Sequence, residues 1–345
     1  MTASQTSTAP QGFQLGSTLY SFTNEWHERR YDFEGLIAEV AKRQLGPGLE
    51  VIGFSSIRGF PNVSDDFAAR FKDLMAKYQL TPSCLSINAD MAIRRGTMMS
   101  VDEAVAYHAP QIEAAAKMGF PTVRCQFAAP VEVIIRLLPL LEKHGIKIGP
   151  EVHAPLNPSS PPVMAWREAY AKANSPLLGF VPDFGCCASR LPATYIANLR
   201  RQQLPEDLIQ LALEIWQLPK DAGWKRQEFA RRVEPLKADP ADVSALAVMF
   251  NILSPGTAEM WKEIMPQVVH VHGKFYDFDD EGNEASIDYG SILPVFHDGG
   301  FNGFMSSEWE GHLYMRNVDA FDMVAKHQAL ARRIIARHTG AKVAA

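Results

Sequence analysis

Residues 122–153 read TVRCQFAAPVEVIIRLLPLLEKHGIKIGPEVH, and this stretch decides the fold. Its two ends, residues 122–127 and 147–153, are short runs with apolar and β-branched residues, which predict β-strands. The segment between them, EVIIRLLPLLEKHG, repeats apolar residues at spacings of three and four, as an amphipathic helix does. A strand, a helix and a second strand in this order are typical of one unit of an α/β fold.

The same alternation runs along the rest of the chain. The helical segment FEGLIAEVAKRQ, for example, follows the first strand candidate. The eight strand candidates are residues 17–21, 49–54, 83–88, 122–127, 147–153, 178–183, 268–273 and 303–308. Alternating β and α units that close at eight strands predict a (β/α)8 TIM barrel, and a last helix at about residues 320–336 would complete its outer ring.

The length of the chain, 345 residues, fits one such barrel with one insertion. Without residues 191–259 and a disordered N-terminal tail at residues 1–14, the remainder is close to the roughly 250 residues usual for this fold. We therefore predict a single catalytic domain over residues 15–338 and a C-terminal tail over residues 339–345. The insertion between strands six and seven is predicted to be helical, and it is either a lid or partner surface or ordinary packing around the barrel.

The composition indicates a globular protein and excludes several partners. Hydrophobic residues make up 47% of the chain, and 34 basic against 39 acidic residues give a formal charge of −5, so no cationic field exists to bind nucleic acid. No apolar run of about 18 residues and no signal-like start occurs, which predicts a cytoplasmic protein without a membrane span. The four cysteines lack CxxC spacing and are predicted to be reduced and buried: Cys84, Cys125, Cys186 and Cys187.

Acidic and imidazole side chains cluster where the last four strands end. They are Glu151 and His153 at strand five, Asp183 at strand six, His270 and His272 at strand seven, and Glu308, Glu310 and His312 at strand eight. The carboxyl ends of barrel strands meet at one rim, where active sites of this fold form. Three carboxylates from these strands would repel one another unless a cation lay between them, although separate ion pairs would satisfy the same residues. One Glu, one Asp, one His and one Glu suit a divalent ion, with Mn²⁺ favoured and Mg²⁺, Co²⁺ or Zn²⁺ as alternatives.

With these residues at the strand ends, the sequence resembles the xylose isomerase-like sugar phosphate isomerase and epimerase superfamily over most of residues 15–338. The resemblance implies that one metal is held by Glu151, Asp183, His272 and Glu308, with His270 and Glu310 as the alternatives at strands seven and eight. Residues 269–312, which include HVHGK and SSEWEG, look more narrowly like the large (alpha) subunit of bacterial C-glycoside deglycosidases. That resemblance implies a small β-sandwich partner subunit in a hetero-oligomer and a C-glycoside already oxidised to a ketone at sugar carbon 3.

The remaining rim residues receive roles in proton transfer and substrate binding. His153 faces the same side of its strand as Glu151 and is the candidate base, because an imidazole exchanges protons near neutral pH; alternatively it orients Glu151. Lys274 would neutralise an enediolate or bind a sugar hydroxyl, unless it is simply solvated. Glu310 is the third catalytic candidate, beside His153 and Lys274. The predicted substrate contacts are Arg124, Gln126, Tyr20, Asn88 and His312.

Three functions remain open at this point. The first is a metal-dependent carbon–carbon lyase that acts on an oxo-glycoside by proton abstraction and β-elimination. The second is an isomerase or epimerase of keto-sugars, which shares the metal and the enediolate but releases no aglycone. Cys186 stands where the epimerases typically carry a histidine three residues after the strand-six Asp, which disfavours the second. The third is a binding or scaffold subunit with a structural metal site, against which the complete set of four ligands argues.

Overall fold

A computed structural model describes residues 12–89 and 91–341 of the chain. Its eight strands form one parallel sheet in the order β6-β5-β4-β3-β2-β1-β8-β7. The strands are β1 (Phe13–Thr18), β2 (Gly48–Ile52), β3 (Thr81–Ser86), β4 (Thr122–Cys125), β5 (Lys147–Val152), β6 (Val181–Pro182), β7 (Val271–Phe275) and β8 (Gly303–Trp309). Single bridges, Phe180 to Val268 and Asp183 to His272, bring β6 next to β7. The predicted TIM barrel is confirmed, with its ring nearly closed.

Helices follow the strands in the expected alternation. They are α1 (Thr23–His27), α2 (Phe33–Lys42), α3 (Gly53–Ser56), α4 (Asp65–Tyr78), α5 (Val101–Met118), α6 (Val131–His144), α7 (Pro161–Ala173), α8 (Ala193–Arg201), α9 (Glu206–Gln217), α10 (Ala222–Val233), α11 (Pro240–Ala247), α12 (Met249–Ile252), α13 (Tyr289–Asp298) and α14 (Ala320–Thr339). No helix in the described part of the chain is long and apolar enough to span a membrane.

The β4–α6–β5 unit shows how the opening stretch of sequence specifies its structure. Helix α6 begins after Pro130 and ends at Gly145, whose φ of 65° lies in the left-handed region that glycine adopts without strain. The face of α6 that packs on the sheet is buried and apolar: Val133, Ile134, Leu137 and Leu141. Strand β5 then runs beside β4 with Thr122 opposite Lys147, so its end carries Glu151 to the rim of the barrel.

The two ends of the domain differ from the prediction. Phe13 and Gln14, placed by the sequence in a disordered tail, pair with Gly303 and Phe304 and form the start of β1. Phe13 also packs edge-on against Phe301, with ring centroids 5.8 Å apart, and this contact explains why the strand begins early. Helix α14 runs to Thr339, one residue into the predicted C-terminal tail. Residues 1–11 and 342–345 lie outside the described residues.

Residues 191–259 are helical, as predicted, and supply α8 to α12. The buried face of α9 consists of Leu208, Ile209, Ala212, Ile215 and Trp216. The indole Nε1 of Trp216 donates to the Leu253 carbonyl at 3.1 Å, which ties α9 to the segment that returns toward the barrel. All four cysteines are buried and unbridged, which confirms their predicted state.

Gly179 brings the chain before β6 into close contact with the chain before β7. A Cβ atom at Gly179 would lie 2.3 Å from the Gln267 carbonyl oxygen, which itself accepts a hydrogen bond from the Phe180 amide at 2.8 Å. We expect Gly179→Ala to lower the free energy of unfolding by about 1–3 kcal/mol, because the backbone must shift at the seam of the barrel. Urea denaturation measures this, with Gly290→Ala on the exposed side of α13 as the control. Equal stability of the two variants would contradict the prediction.

Candidate functional site

Four strand ends bring the predicted metal ligands together. Glu151 lies on β5, Asp183 directly follows β6, His272 lies on β7 and Glu308 on β8. One side-chain atom from each of the four residues lies within 4.8 Å of the others, and all four residues are buried. A short turn after β6 orients the aspartate, because the Gly185 amide donates to Asp183 Oδ1 at 2.6 Å.

The structure separates the alternative candidates from this cluster. His270 lies deeper in the barrel, where its Nε2 is 2.9 Å from Ser306 Oγ and 3.2 Å from Glu50 Oε2. Glu310 contacts Lys274 and Tyr276 instead: its Oε1 is 3.1 Å from Lys274 Nζ, and its Oε2 accepts from the Tyr276 hydroxyl at 2.6 Å. Among the described residues, the four-membered cluster therefore contains His272 and Glu308 rather than His270 and Glu310.

The cluster has the acidic oxygens that a cation requires. Glu308 Oε2 is buried, accepts no hydrogen bond from the described residues and lies 3.8 Å from Lys274 Nζ, whereas Asp183 Oδ2 forms a buried ion pair with Lys274 Nζ at 2.6 Å. Burial, together with the charges of Glu151 and Asp183, raises the pKa of Glu308 to about 8, against the opposing effect of His272 and Lys274. A divalent ion between these oxygens would remove the repulsion, so the residues fit such an ion.

His272 and Glu151 are the most strongly coupled pair of the site. The imidazole Nδ1 of His272 contacts Glu151 Oε1, and Arg124 donates to Glu151 Oε2. Burial alone would raise the pKa of Glu151, but the charges of Arg124 and His272 hold it well below its usual value. Burial alone would lower the pKa of His272, but Glu50, Glu308 and Glu151 raise it well above its usual value. To bind a cation, His272 must give up the proton on Nδ1.

Lys274 is buried, not solvated as one sequence interpretation had it. Its ammonium lies 2.6 Å from Asp183 Oδ2, 3.1 Å from Glu310 Oε1 and 2.8 Å from His153 Nε2. Burial lowers the pKa of Lys274, but the charges of Asp183, Glu310 and Glu308 outweigh that effect and raise it well above its usual value. The residue therefore provides a permanent positive charge beside the candidate metal ligands.

We expect Lys274→Met to destabilise the metal-free protein by about 3–5 kcal/mol, because it leaves the buried carboxylates of Asp183 and Glu310 without their cation. Urea denaturation in the presence of a chelator measures the change. Lys262→Met is the control, since Lys262 is exposed and pairs with Glu259 on the surface. A Lys274 variant as stable as the control variant would show that the ion pair does not hold this region together.

His153 has the geometry of a neutral imidazole whose Nε2 lone pair accepts from Lys274. Its Nδ1 lies 2.6 Å from the Ala154 carbonyl oxygen, which can only accept, so Nδ1 carries the proton. Its Nε2 lies 2.8 Å from the Lys274 ammonium, which can only donate, so Nε2 is unprotonated. The His153 backbone amide donates to the Glu151 carbonyl at 3.1 Å, but among the described residues the imidazole makes no hydrogen bond to the Glu151 carboxylate, so the alternative that the His153 ring orients that carboxylate lacks support.

A cavity of about 650 Å³ opens above the cluster. Its polar lining residues include Tyr20, Arg124, Gln126, His153, Lys274 and Glu310. Its apolar lining residues include Leu19, Trp26, Ile52, Phe54, Phe127 and Leu156. Phe54 is 47% exposed at this cavity, which is unusual for a large apolar side chain and leaves the ring available to a ligand. Three of the five predicted substrate contacts, Tyr20, Arg124 and Gln126, therefore line the cavity.

Asn88 and His312, the other two predicted substrate contacts, are not among the described residues that line it. Asn88 is held against α5. Its side-chain amide donates to the Tyr107 hydroxyl at 2.8 Å, and its backbone carbonyl accepts from the Gln111 side chain at 3.0 Å. His312 lies behind Tyr20, edge-on to that ring at 5.0 Å. Strand position alone does not show which side chains neighbouring elements cover, so contacts of Asn88 and His312 with a substrate stay predictions.

Glu50 is part of the site but escaped the sequence reasoning. It lies on β2, has no exposed surface, and its Oε1 is 3.0 Å from His272 Nε2. The signal for it was present in the sequence, since Glu50 is an acid inside the otherwise apolar run LEVIGF. A buried acid in a barrel strand requires a partner, but only the structure identifies that partner as a residue of β7.

Comparison with known proteins places the chain in a family. No family model matches it. The C-glycoside deglycosidase alpha subunit of Arthrobacter globiformis is 39% identical over 330 residues, which is 95% of this chain and 94% of the relative. The 3'-dehydrocarminate deglycosidase alpha subunit of a Microbacterium species is 37% identical over 330 residues, with 93% and 95% of the two chains covered.

Solved structures share the fold at much lower identity. A crystal structure of the IolI protein with bound zinc aligns with a TM-score of 0.56 at 14% identity, over 94% of this chain and 99% of that one. A sugar phosphate isomerase/epimerase from Parabacteroides distasonis aligns with a TM-score of 0.54 at 14% identity, over 96% and 97% of the two chains. These likenesses confirm the TIM-barrel fold, and the sequence relatives show that the chain belongs to the family of C-glycoside deglycosidase alpha subunits.

Proposed function

We propose that the chain is the catalytic subunit of an enzyme that breaks the carbon–carbon glycosidic bond of 3-oxo-C-glycosides in a metal-dependent β-elimination. The observation that carries the proposal is the buried cluster of Glu151, Asp183, His272 and Glu308, three of which, Glu151, His272 and Glu308, line the cavity. The names of two relatives support the substrate class, since one is a C-glycoside deglycosidase subunit and the other acts on 3'-dehydrocarminate.

The four clustered residues would hold one divalent ion, for which Mn²⁺ is our choice because three oxygens and one nitrogen suit it. When bound, such an ion draws electrons from a ketone and so acidifies the neighbouring C–H bond. The charge balance of the site agrees with this role. Five acidic side chains meet two permanently positive ones there. The acids are Glu50, Glu151, Asp183, Glu308 and Glu310, and the cations are Arg124 and Lys274.

His153 is the proposed base. Both His153 and Lys274 line the cavity, and the unprotonated Nε2 of His153 accepts from Lys274. This nitrogen would take the proton from sugar carbon 2, which lies between the ketone and the scissile bond. The electron pair of that C–H bond forms the double bond between carbons 1 and 2 as the bond from carbon 1 to the aglycone breaks. The aglycone leaves with the bonding pair, which a phenol ring delocalises, and is then protonated.

Lys274 and Glu310 are the proposed supporting groups. The Lys274 ammonium would stabilise negative charge on the sugar oxygens during proton transfer, because Asp183 and Glu310 keep it charged. Glu310 fixes the position of Lys274 and is itself fixed by the Tyr276 hydroxyl at 2.6 Å. Three polar residues that line the cavity, Arg124, Gln126 and Tyr20, would contact the sugar.

The aromatic residues that line the cavity favour an aromatic aglycone over a free keto-sugar. Trp26, Phe54 and Phe127 offer rings against which a planar aglycone can pack, whereas a free sugar gives these rings no planar partner. Cys186 also disfavours an epimerase, because its thiol is buried, donates to the Val152 carbonyl and has a pKa raised well above the usual value by burial. A second acid–base group on the opposite face is therefore not provided at this position.

The relatives are named alpha subunits, and we propose that a small β-sandwich beta subunit completes the enzyme as a hetero-oligomer. The test combines the purified chain with and without that subunit, adds Mn²⁺ and a 3-oxo-C-glycoside, and follows the aglycone by chromatography. We expect release that requires the metal. Epimerised sugar without free aglycone, in the presence of both subunits, would favour the isomerase alternative and overturn the proposal.

A further inference from the structure

Glu50 is a buried carboxylate in the interior of the barrel, outside the four-residue cluster. It lies on β2, whereas its partners are Ser86 on β3, His272 on β7 and His270 directly before β7. Ser86 Oγ donates to Glu50 Oε1 at 2.7 Å, His272 Nε2 lies 3.0 Å from the same oxygen, and His270 Nε2 lies 3.2 Å from Oε2. Both carboxylate oxygens are thus occupied, so Glu50 is not free to turn toward the cluster.

The contact between Glu50 and His272 determines which nitrogen of the imidazole is available. A carboxylate only accepts, so the proton between Glu50 Oε1 and His272 Nε2 lies on the nitrogen. The other nitrogen, Nδ1, is the one that contacts Glu151 and lies 3.4 Å from Glu308 Oε1. An imidazole binds a cation through an unprotonated nitrogen, and a carboxylate on the opposite nitrogen fixes the tautomer and the ring orientation.

His270 holds Glu50 in the position that this role requires. Its ring stands at 89° to the His272 ring, with centroids 5.8 Å apart, and Ser306 Oγ lies 2.9 Å from the same Nε2 that faces Glu50. The two histidines and Ser86 therefore fix the carboxylate from three directions. This network explains why a TIM barrel interior, which apolar side chains usually fill, contains these polar groups.

We propose that Glu50 is a positioning residue that fixes the tautomer and orientation of His272 and thereby raises the affinity of the site for a divalent ion. The inference rests on the proposed metal site and extends it to a residue of β2. It assigns to Glu50 no contact with the substrate or with the ion itself.

The first test is Glu50→Gln, which keeps the size of the side chain and removes its charge. We expect metal-stripped Glu50→Gln to bind Mn²⁺ about 10- to 100-fold more weakly than the unaltered chain, measured as free Mn²⁺ by electron paramagnetic resonance. Glu284→Gln is the matched control, because Glu284 is also a buried acid but accepts from backbone amides of Tyr276 and Ser286. The control should keep its Mn²⁺ affinity.

The second test reads the tautomer in the unaltered chain, so it does not depend on the folding of a variant. Long-range ¹H–¹⁵N spectra of the Zn²⁺-loaded, histidine-labelled protein should show a histidine protonated at Nε2 and metal-bound at Nδ1, assigned by its loss in His272→Gln. Metal bound at Nε2, or an unchanged Mn²⁺ affinity in Glu50→Gln, would overturn this inference while leaving the proposed function intact. An unaltered chain that binds no Mn²⁺ would overturn both.

Discussion

Replacing His153 by alanine is expected to slow aglycone release by about 100- to 10,000-fold, which is the usual contribution of a positioned acid–base group. The expectation follows from its geometry: Nδ1 is held by the Ala154 carbonyl, Nε2 is unprotonated, and the side chain lines the cavity. Among the described residues of the cavity, no other imidazole accepts a hydrogen bond from Lys274.

The same variant should keep its metal, because His153 is not one of the four clustered residues. Single-turnover rates and metal analysis on the same preparation separate the two effects. His297→Ala is the control, since His297 lies at the exposed end of α13 and should leave the rate unchanged. A His153→Ala enzyme that releases aglycone at the normal rate would remove the residue from the mechanism.

Replacing Asp183 by alanine is expected to weaken Mn²⁺ binding by more than about 100-fold, since loss of a ligand exceeds the 10- to 100-fold effect of an outer partner. Turnover should fall with the metal, because the remaining carboxylates and His272 cannot polarise a ketone by themselves. Equilibrium dialysis followed by elemental analysis measures the bound metal, and the rate is followed at saturating and at limiting Mn²⁺.

The control for Asp183→Ala is Asp279→Ala, an acid in an exposed turn that accepts from Asn283. Thermal unfolding of both metal-free variants accounts for any loss of the ion pair between Asp183 and Lys274. If Asp183→Ala retained one tightly bound Mn²⁺ per chain, the aspartate would not be a ligand, and the proposed grouping of the four strand ends would be wrong.

Much of this site could be predicted from sequence because strand geometry restricts it. A residue at the carboxyl end of a barrel strand must lie at one rim, so Glu151, Asp183 and Glu308 were predictable once the eight strands were recognised. Two-residue periodicity placed His270 and His272 on the same face of one strand. It could not show which of them reaches the cluster, which depends on how far β7 extends relative to β8.

The rest of the site depends on contacts between elements far apart in the chain. Glu50 and His272 are separated by 222 positions, so no local pattern links them. Lys274 is buried beside two carboxylates from other parts of the chain. Asp183 directly follows β6, and Glu310 directly follows β8. The partners of Asn88 also come from a distant element, because its side-chain amide donates to the Tyr107 hydroxyl on α5.

The most direct test of the account is the location of the ion itself. Crystals of the chain grown with Mn²⁺ should be measured at a wavelength where manganese scatters anomalously. We expect a single anomalous peak per chain, enclosed by the carboxylates of Glu151, Asp183 and Glu308 and by Nδ1 of His272. A peak elsewhere, or no peak from protein that is active without added metal, would contradict the central claim.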